Sequence, residues 1–415
     1  MRQVKKSAVT PRDVRRQNAV RFEALLAVRD KISALRTVVA TGLFLSLLLC
    51  WRLWTAWRLF PQTPVWSGLP PLPPPLVATL FGAMLVSLLL IVFLRQKCWP
   101  VLIFLSIAGL LSLWDQMRWQ PWFFEYFFLL AAVGYAAWDN SESRKRAALN
   151  AGRLVLASIY LWSGLQKLNV NFLRETWPDI TGPMLHHFPH AIGRIAASCG
   201  IIVPLLEIVI GLGLITRKFR KAAALLAIGT HLFVLLMLIS SRENFVVWPW
   251  NVAMVLLVAI LFLGDRESTP SEILVPRTAF HALVMLLFGL LPVFSFFDLW
   301  DSYLSSALYS GNTDQSVIYV SALVLAQLPV AVRPHVWQEK EPYYLDVNRW
   351  AYAELNVPIY PEPRIYRRAA AQICAMPGNY PGEILLRIRK KPNMLTGVRQ
   401  SLFYDCDHIY ESNTR

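Results

Sequence analysis

Nine long, apolar and almost uncharged stretches limit the possible folds of this chain more than any other feature of its sequence. A helix that spans a bilayer needs about 20 mostly apolar residues, because its backbone polar groups must be paired inside the helix. We therefore predict an all-α polytopic transmembrane bundle of about nine spans. The predicted spans are 38–59, 76–94, 99–114, 121–138, 149–166, 195–215, 222–240, 245–263 and 279–297.

Composition agrees with this class. The chain is 55% hydrophobic and 16% charged, whereas a soluble domain carries about 25% charged residues. The span at 99–114 is short, so residues 99–138 could form either two spans or one re-entrant pair.

Basic residues predict the orientation of the bundle. They concentrate in the loops around 95–97, 144–146 and 217–221, which fall on the side of the N-terminus if there are nine crossings. The positive-inside rule then places the N-terminus in the cytoplasm and the C-terminus outside, in a bacterial cytoplasmic membrane. The net charge of +15 does not indicate a nucleic-acid partner, because these charges lie in short loops on one side of the membrane.

Residues 1–36 form a basic cytoplasmic segment with ten Lys or Arg and three acidic residues. It has no apolar core of a signal peptide, so the first span should be an uncleaved anchor. Thr10 and Pro11 are typical of a helix start. The helix could lie on an anionic membrane surface, or it could be solvated and packed on cytoplasmic loops.

The bundle proper is expected over 37–297, and residues 298–415 are expected to form a small α+β domain outside the membrane. This part carries twelve basic and twelve acidic residues. We predict a β-hairpin between 304–309 and 317–325, helices over 345–355 and 364–374, and a strand over 383–389. Cys374 and Cys406 could form a disulfide if this part is exported, or remain free thiols.

Four polar residues lie in or beside apolar spans, where lipid makes them costly. Lys167 ends the fifth span; a lysine there usually snorkels, but in an aromatic, half-buried setting it could be a base. Glu207 and His231 lie near the middle of adjacent antiparallel spans, so they could pair with each other, either for packing or as a proton relay. Asn251 lies one turn inside the eighth span and offers a donor and an acceptor to a pocket.

Tryptophan is biased toward the outer interface of this topology. Twelve tryptophans lie at that interface, whereas Trp99 and Trp138 lie at the inner one. A single Trp more often anchors a helix at the membrane interface or packs against the outer domain. A cluster of tryptophans at the outer interface could, however, bind a flat ring or a lipid tail. Trp162, Trp177, Trp248 and Trp250 are the candidates nearest to the polar residues. The outer set is Trp51, Trp54, Trp57, Trp66, Trp114, Trp119, Trp122, Trp162, Trp177, Trp248, Trp250 and Trp300.

Three histidines in one outer loop are weak candidates for a metal site. His186 and His190 are spaced at i and i+4, and His187 lies between them. No Cys or acidic residue stands at a convincing distance, so we favour an interfacial amphipathic helix over a metal site.

Residues 160–169, with Gly164, Lys167 and Leu168, together with Glu207, His231 and Asn251, resemble the HTTM group of membrane proteins. This group is akin to the vitamin K-dependent γ-carboxylase and, more distantly, to DoxX-type proteins. The resemblance covers about residues 30–300. It implies a reduced naphthoquinone as cofactor, with Lys167 as the base that starts its oxygenation.

The chain departs from the carboxylase at Gln166, where that enzyme has a paired lysine, and in its much smaller outer domain. A quinol or isoprenoid-lipid site is therefore expected here rather than glutamate carboxylation. The alternative is a non-catalytic membrane partner that presents its C-terminal domain to another exported or membrane protein. A proton-coupled transporter is disfavoured, because no inverted repeat is visible.

Overall fold

The computed structural model describes residues 11–94, 97–265, 267–337, 343–376 and 381–414. The chain is mostly helical, and apolar helices dominate it as far as residue 297. They are α1 (Pro11–Leu49), α2 (Pro74–Phe93), α3 (Trp99–Trp114), α4 (Pro121–Ala137), α5 (Glu142–Lys167), α6 (Trp177–Leu185), α7 (His190–Ser198), α8 (Ile202–Ile215), α9 (Arg220–Ser241), α10 (Val247–Phe262), α11 (Pro270–Leu274) and α12 (Ala279–Val284).

Four helical stretches among the described residues are long and apolar enough to cross a membrane. They are Asp30–Leu49, Pro74–Phe93, Arg220–Ser241 and Ala279–Phe297. Four shorter apolar helices accompany them: Trp99–Trp114, Pro121–Ala137, Cys199–Ile215 and Val247–Phe262.

The first predicted span is wrong at its C-terminal end. The helix starts at Pro11, as Thr10 and Pro11 predicted, and runs without a break to Leu49. A short 3-10 turn (Trp51–Trp54) follows, and the chain then continues as an irregular loop. The helix does not continue because Arg58 forms an ion pair with the buried Asp115. This contact places the segment in a polar loop instead of an apolar helix.

The sixth and ninth predicted spans are interrupted helices. A 3-10 turn, Cys199–Ile201, separates α7 from α8. After α12, the chain forms a π-helical turn (Met285–Leu290) and then a 3-10 segment (Leu291–Phe297) that has Pro292 near its start. A π-turn leaves backbone carbonyls for other donors, and Phe288 O accepts a hydrogen bond from Trp162 Nε1 at 2.9 Å.

Helices α5 and α8 are packed backbone against backbone. A Cβ on Gly164 would lie 2.6 Å from Pro204 O and 2.9 Å from Ile208 N. Further along α8, a Cβ on Gly211 would lie 2.8 Å from Leu161 N. Small residues allow this close approach of helices in lipid. The contact fixes the C-terminal end of α5 against the middle of α8.

The opposite end of the bundle is joined by a buried charge cluster. Asp265 Oδ2 lies 3.1 Å from Arg153 Nε on α5 and 3.2 Å from Arg220 Nη1 on α9. Burial alone would raise the pKa of the Asp265 carboxyl, but Arg153 and the hydrogen bond from Ser268 hold the pKa below its ordinary value. The carboxylate is therefore ionised at neutral pH and pairs with both arginines.

The C-terminal part contains one antiparallel five-stranded sheet of order β2-β3-β1-β4-β5. The central strand β1 places Ile318 opposite both Leu345 and Leu386, and all three are fully buried. The elements are β1 (Gln315–Val320), α13 (Ala322–Gln327), β2 (Val336–Trp337), β3 (Tyr343–Asp346), α14 (Val347–Leu355), α15 (Pro363–Cys374), β4 (Ile384–Arg389), β5 (Ser401–Asp405) and α16 (Cys406–Thr414).

Most of the C-terminal predictions are confirmed, and the hairpin is wrong. The helix over 364–374 and the strand over 383–389 match α15 and β4, and a disulfide joins Cys374 to Cys406. The predicted first hairpin strand is irregular, because Ser306 and Tyr309 have positive φ angles of 59° and 55°. Such a backbone cannot continue a pleated ladder, and β1 pairs with β3 and β4 instead.

The C-terminal part lies on three loops of the bundle. Glu354 Oε2 accepts a hydrogen bond from Phe60 N at 2.9 Å. Gln120 Nε2 donates to Pro358 O at 3.1 Å. Asn169 Nδ2 donates to Ser310 O at 2.8 Å. The loops after α1, α3 and α5 therefore end on the same side of the bundle.

The α5–α8 contact predicts opposite effects for the same substitution at two helical glycines. Gly164→Ala should lower stability by about 1–3 kcal/mol, because the new methyl group meets backbone atoms that cannot move aside. Gly229→Ala on α9 should be neutral or stabilise by up to about 1 kcal/mol, because nothing lies within 4 Å of its Cβ position. Thermal unfolding of the purified variants measures both; equal effects would contradict the contact.

Candidate functional site

A cavity of about 130 Å³ lies among helices α4, α5, α8, α9 and α10, the π-helical turn, and the start of the C-terminal part. A single water molecule needs roughly 10–15 Å³ of cavity volume on the same scale, so the cavity has room for a larger group. Its wall is mostly apolar and aromatic, with Phe124, Phe172 and Phe288 among its rings. Few polar side chains reach it, and these are the residues that lipid makes costly.

An ion pair between Lys167 and Glu207 lies in the cavity wall. Lys167 Nζ lies 2.8 Å from one carboxylate oxygen of Glu207 and 3.1 Å from the other, and it also donates to Ser163 Oγ. The two side chains are only 10% and 11% exposed. The arrangement brings together a donor and an acceptor of opposite charge where the surroundings are apolar, so each charge depends on the other.

Gln166 and Asn169, on either side of Lys167, hold the end of α5 to neighbouring segments. Gln166 Nε2 donates to Ser295 Oγ at 2.6 Å, and Gln166 Oε1 accepts from Asn312 Nδ2 at 2.7 Å. Asn169 Oδ1 accepts from Phe172 N at 2.8 Å, which starts the next turn. Gln166 thus holds neighbouring segments together, and it is not among the residues that line the cavity.

The predicted pairing of Glu207 with His231 is wrong. His231 Nδ1 lies 2.8 Å from Asn251 Oδ1, whose own Nδ2 donates to Val247 O at 2.8 Å. His231 and Asn251 line the same cavity as the ion pair. Lys167 on α5 pairs with the carboxylate of Glu207, whereas His231 on α9 faces α10.

Glu125 on α4 was missed by the sequence analysis. It is buried, lines the cavity, and accepts a hydrogen bond from Trp250 Nε1 at its Oε2, with a length of 2.7 Å. The signal was present, since Glu125 is an acid in the apolar run 121–138 and intramembrane acids are rare without a role. Tyr160, also buried in the wall, gave no such signal, because tyrosine is common in spans.

The four candidate tryptophans divide into two groups. Trp177 and Trp250 line the cavity, whereas Trp162 and Trp248 do not. Trp162 contacts the π-helical turn through its Nε1, and Trp248 Nε1 donates to Glu243 O at 3.1 Å. Trp162 and Trp248 therefore have backbone hydrogen-bond partners and are not part of the cavity wall.

The histidine loop provides no metal-ligating cluster among the described side chains. His186 and His187 are exposed near the end of α6. The side chain of His190 lies outside the described part of the structure. Among the described residues, no group of three or more His, Cys, Asp or Glu is placed to hold a metal ion.

The C-terminal part contributes to the cavity wall through the irregular segment 303–309. Tyr303, Leu308 and Tyr309 line the cavity. Tyr309 OH accepts a hydrogen bond from Asn244 Nδ2 at 2.5 Å, and its backbone is left-handed. The segment predicted as a β-strand therefore closes the cavity on the side of the C-terminal part.

Comparison with known proteins finds similarity to one family. The DoxX family profile matches residues 148–239, which run from α5 to α9 and include Lys167, Glu207 and His231. No curated protein and no solved structure gives a match. Together with the apolar helices, the similarity identifies the chain as an integral membrane protein that contacts lipids.

Proposed function

We propose that the chain crosses the membrane nine times, with its N-terminus in the cytoplasm and its C-terminal part outside. Among the described residues, eight apolar helical segments and the apolar C-terminal part of α5 support this count. Helices α3 and α4, with 16 and 17 residues, are roughly 24–26 Å long. That length favours two spans over a re-entrant pair.

The contacts of the C-terminal part support the same topology. With nine crossings, the loops after α1, α3 and α5 alternate onto one side, and these are the loops that bind the C-terminal part. The Arg153–Asp265–Arg220 cluster joins segments at the other side. A crossing too many or too few between these helices would separate loops that are in contact.

Cysteine labelling tests the orientation. In a background without Cys50, Cys98 and Cys199, Leu395→Cys should react with a membrane-impermeant maleimide in intact cells, because Leu395 is 87% exposed. Lys218→Cys, in the exposed turn between α8 and α9, should react only after the membrane is opened. The reverse pattern would contradict the proposed orientation.

The cavity is proposed to bind the ring-bearing head of a lipid-soluble molecule of the quinol or isoprenoid-lipid class at the outer leaflet. The observation that carries this proposal is an ion pair placed in the wall of an otherwise aromatic cavity. Flat rings pack well on aromatic walls, and a charge pair in lipid is costly if packing is its only role. The γ-carboxylase resemblance, which rests on the motif around Lys167, points to the same ligand class.

A bound quinol would supply two ring hydroxyl groups and reducing equivalents. Lys167 is proposed to act as the base toward one of these hydroxyls. To accept a proton, Nζ must first pass one to the Glu207 carboxylate, 2.8 Å away. The resulting amine and carboxylic acid have the same net charge as the ion pair, so this transfer adds no charge to the apolar cavity.

Binding of a reduced naphthoquinone tests the proposed function. The protein in lipid nanodiscs should bind 2-methyl-1,4-naphthoquinol under argon, with quenching of the fluorescence of Trp177 and Trp250, which line the cavity. Lys167→Ala should weaken binding at least about tenfold, because loss of one charge-assisted contact costs about 1.5–3 kcal/mol.

Lys218→Ala is the matched control, since it removes an exposed lysine at the other end of the bundle. It should bind the quinol like the parent protein. Equal affinity of the parent and a folded Lys167→Ala variant would contradict a ligand site at the ion pair. Failure of the parent protein itself to bind the naphthoquinol would exclude this ligand.

A further inference from the structure

Three cavity-lining residues bear buried polar atoms without a hydrogen-bond partner among the described residues. The atoms are Glu125 Oε1, Tyr160 OH and His231 Nε2. Buried polar groups in native proteins are nearly always paired, so each exception needs an explanation. Three exceptions in the wall of one cavity indicate that their partner is a molecule inside it.

The three residues are neighbours. The rings of Tyr160 and His231 lie 5.6 Å apart between centroids, and those of His231 and Trp250 lie 6.0 Å apart. Trp250 in turn donates to the other carboxylate oxygen of Glu125. The group therefore forms one polar patch, on helices α4, α5 and α9, that is separate from the Lys167–Glu207 ion pair.

The hydrogen-bond network assigns a role to His231 Nε2. Asn251 Nδ2 donates to Val247 O, so Asn251 presents its Oδ1 to the imidazole. Nδ1 must then carry the proton, and in the neutral ring Nε2 is an acceptor. The Tyr160 hydroxyl is able to donate. The patch thus offers one acceptor and one donor side by side.

We propose that Tyr160 and His231, with Glu125 beside them, form a hydroxyl-binding subsite that recognises the second hydroxyl of the cavity ligand. This deepens the proposed function and rests on it. A hydroxyl satisfies both groups at once, since its proton goes to His231 Nε2 and its oxygen accepts from Tyr160. A carbonyl oxygen has no proton for Nε2 and leaves that atom unpaired. The subsite therefore selects a reduced, dihydroxylated ring over its oxidised dione or its ether.

Two ligands and two variants test the subsite. The parent protein in nanodiscs should bind 2-methyl-1,4-naphthoquinol about tenfold more tightly than 4-methoxy-1-naphthol, because the ether cannot donate to Nε2. His231→Phe removes the acceptor Nε2 that the ether cannot satisfy, and it should reduce this preference to within about threefold. Tyr135→Phe removes a hydroxyl elsewhere on α4, where its ring stacks on Phe280, and should keep the full preference.

Stability without ligand provides a second measurement. Tyr160→Phe removes a buried hydroxyl that has no protein partner, so its Tm should rise by about 1–2 °C. A fall in Tm would show that the hydroxyl has a structural partner and would overturn the subsite.

The two proposals fail differently. If the parent binds both ligands equally and Lys167→Ala still weakens binding, the ion-pair site stands and the hydroxyl subsite is overturned. If the parent binds neither ligand, the proposed function fails and the subsite fails with it. A preference that survives in His231→Phe would also overturn the subsite.

Discussion

A charged side chain inside a bilayer needs an opposite charge within reach, and the architecture around the cavity meets this requirement for Lys167. Its partner Glu207 is on α8, and the two helices approach closely enough only because Gly164 and Gly211 carry no side chain at the contact. Backbone contact, ion pair and cavity wall are therefore parts of one arrangement. A change in the helix contact would leave two uncompensated charges in an apolar region.

The same arrangement explains why the C-terminal part is in contact with the bundle. Gln166 and Asn169, on either side of Lys167, are hydrogen-bonded to Asn312 and Ser310, and Tyr303 and Tyr309 close the cavity. The C-terminal part therefore takes part in forming the cavity, which favours a ligand site over a scaffold that merely presents this part to a partner. The DoxX similarity ends at residue 239, so the wall contributed from the C-terminal side is outside the matched region.

Sequence reasoning found the apolar helices and several polar residues of the cavity, because both follow from the cost of polar groups in lipid. Glu207 and His231 line one cavity, but spacing along a span does not give the rotation of each helix, which decides whether Glu207 contacts His231 or Lys167. That rotation is set by the glycine contact between α5 and α8. The hairpin failed for a similar reason, since left-handed Ser306 and Tyr309 are fitted to the cavity and not to a strand. Glu125 could have been found by the same rule that singled out Glu207.

The most direct test of the central claim is a double-mutant cycle on the ion pair, with free energies of unfolding measured in lipid. Lys167→Met and Glu207→Gln should each cost about 3–5 kcal/mol, because each leaves a buried charge or carboxamide without its partner. The double variant should cost at least about 2 kcal/mol less than the sum of the two. Additive costs, within about 0.5 kcal/mol, would contradict the account, because they would mean that Lys167 and Glu207 do not interact.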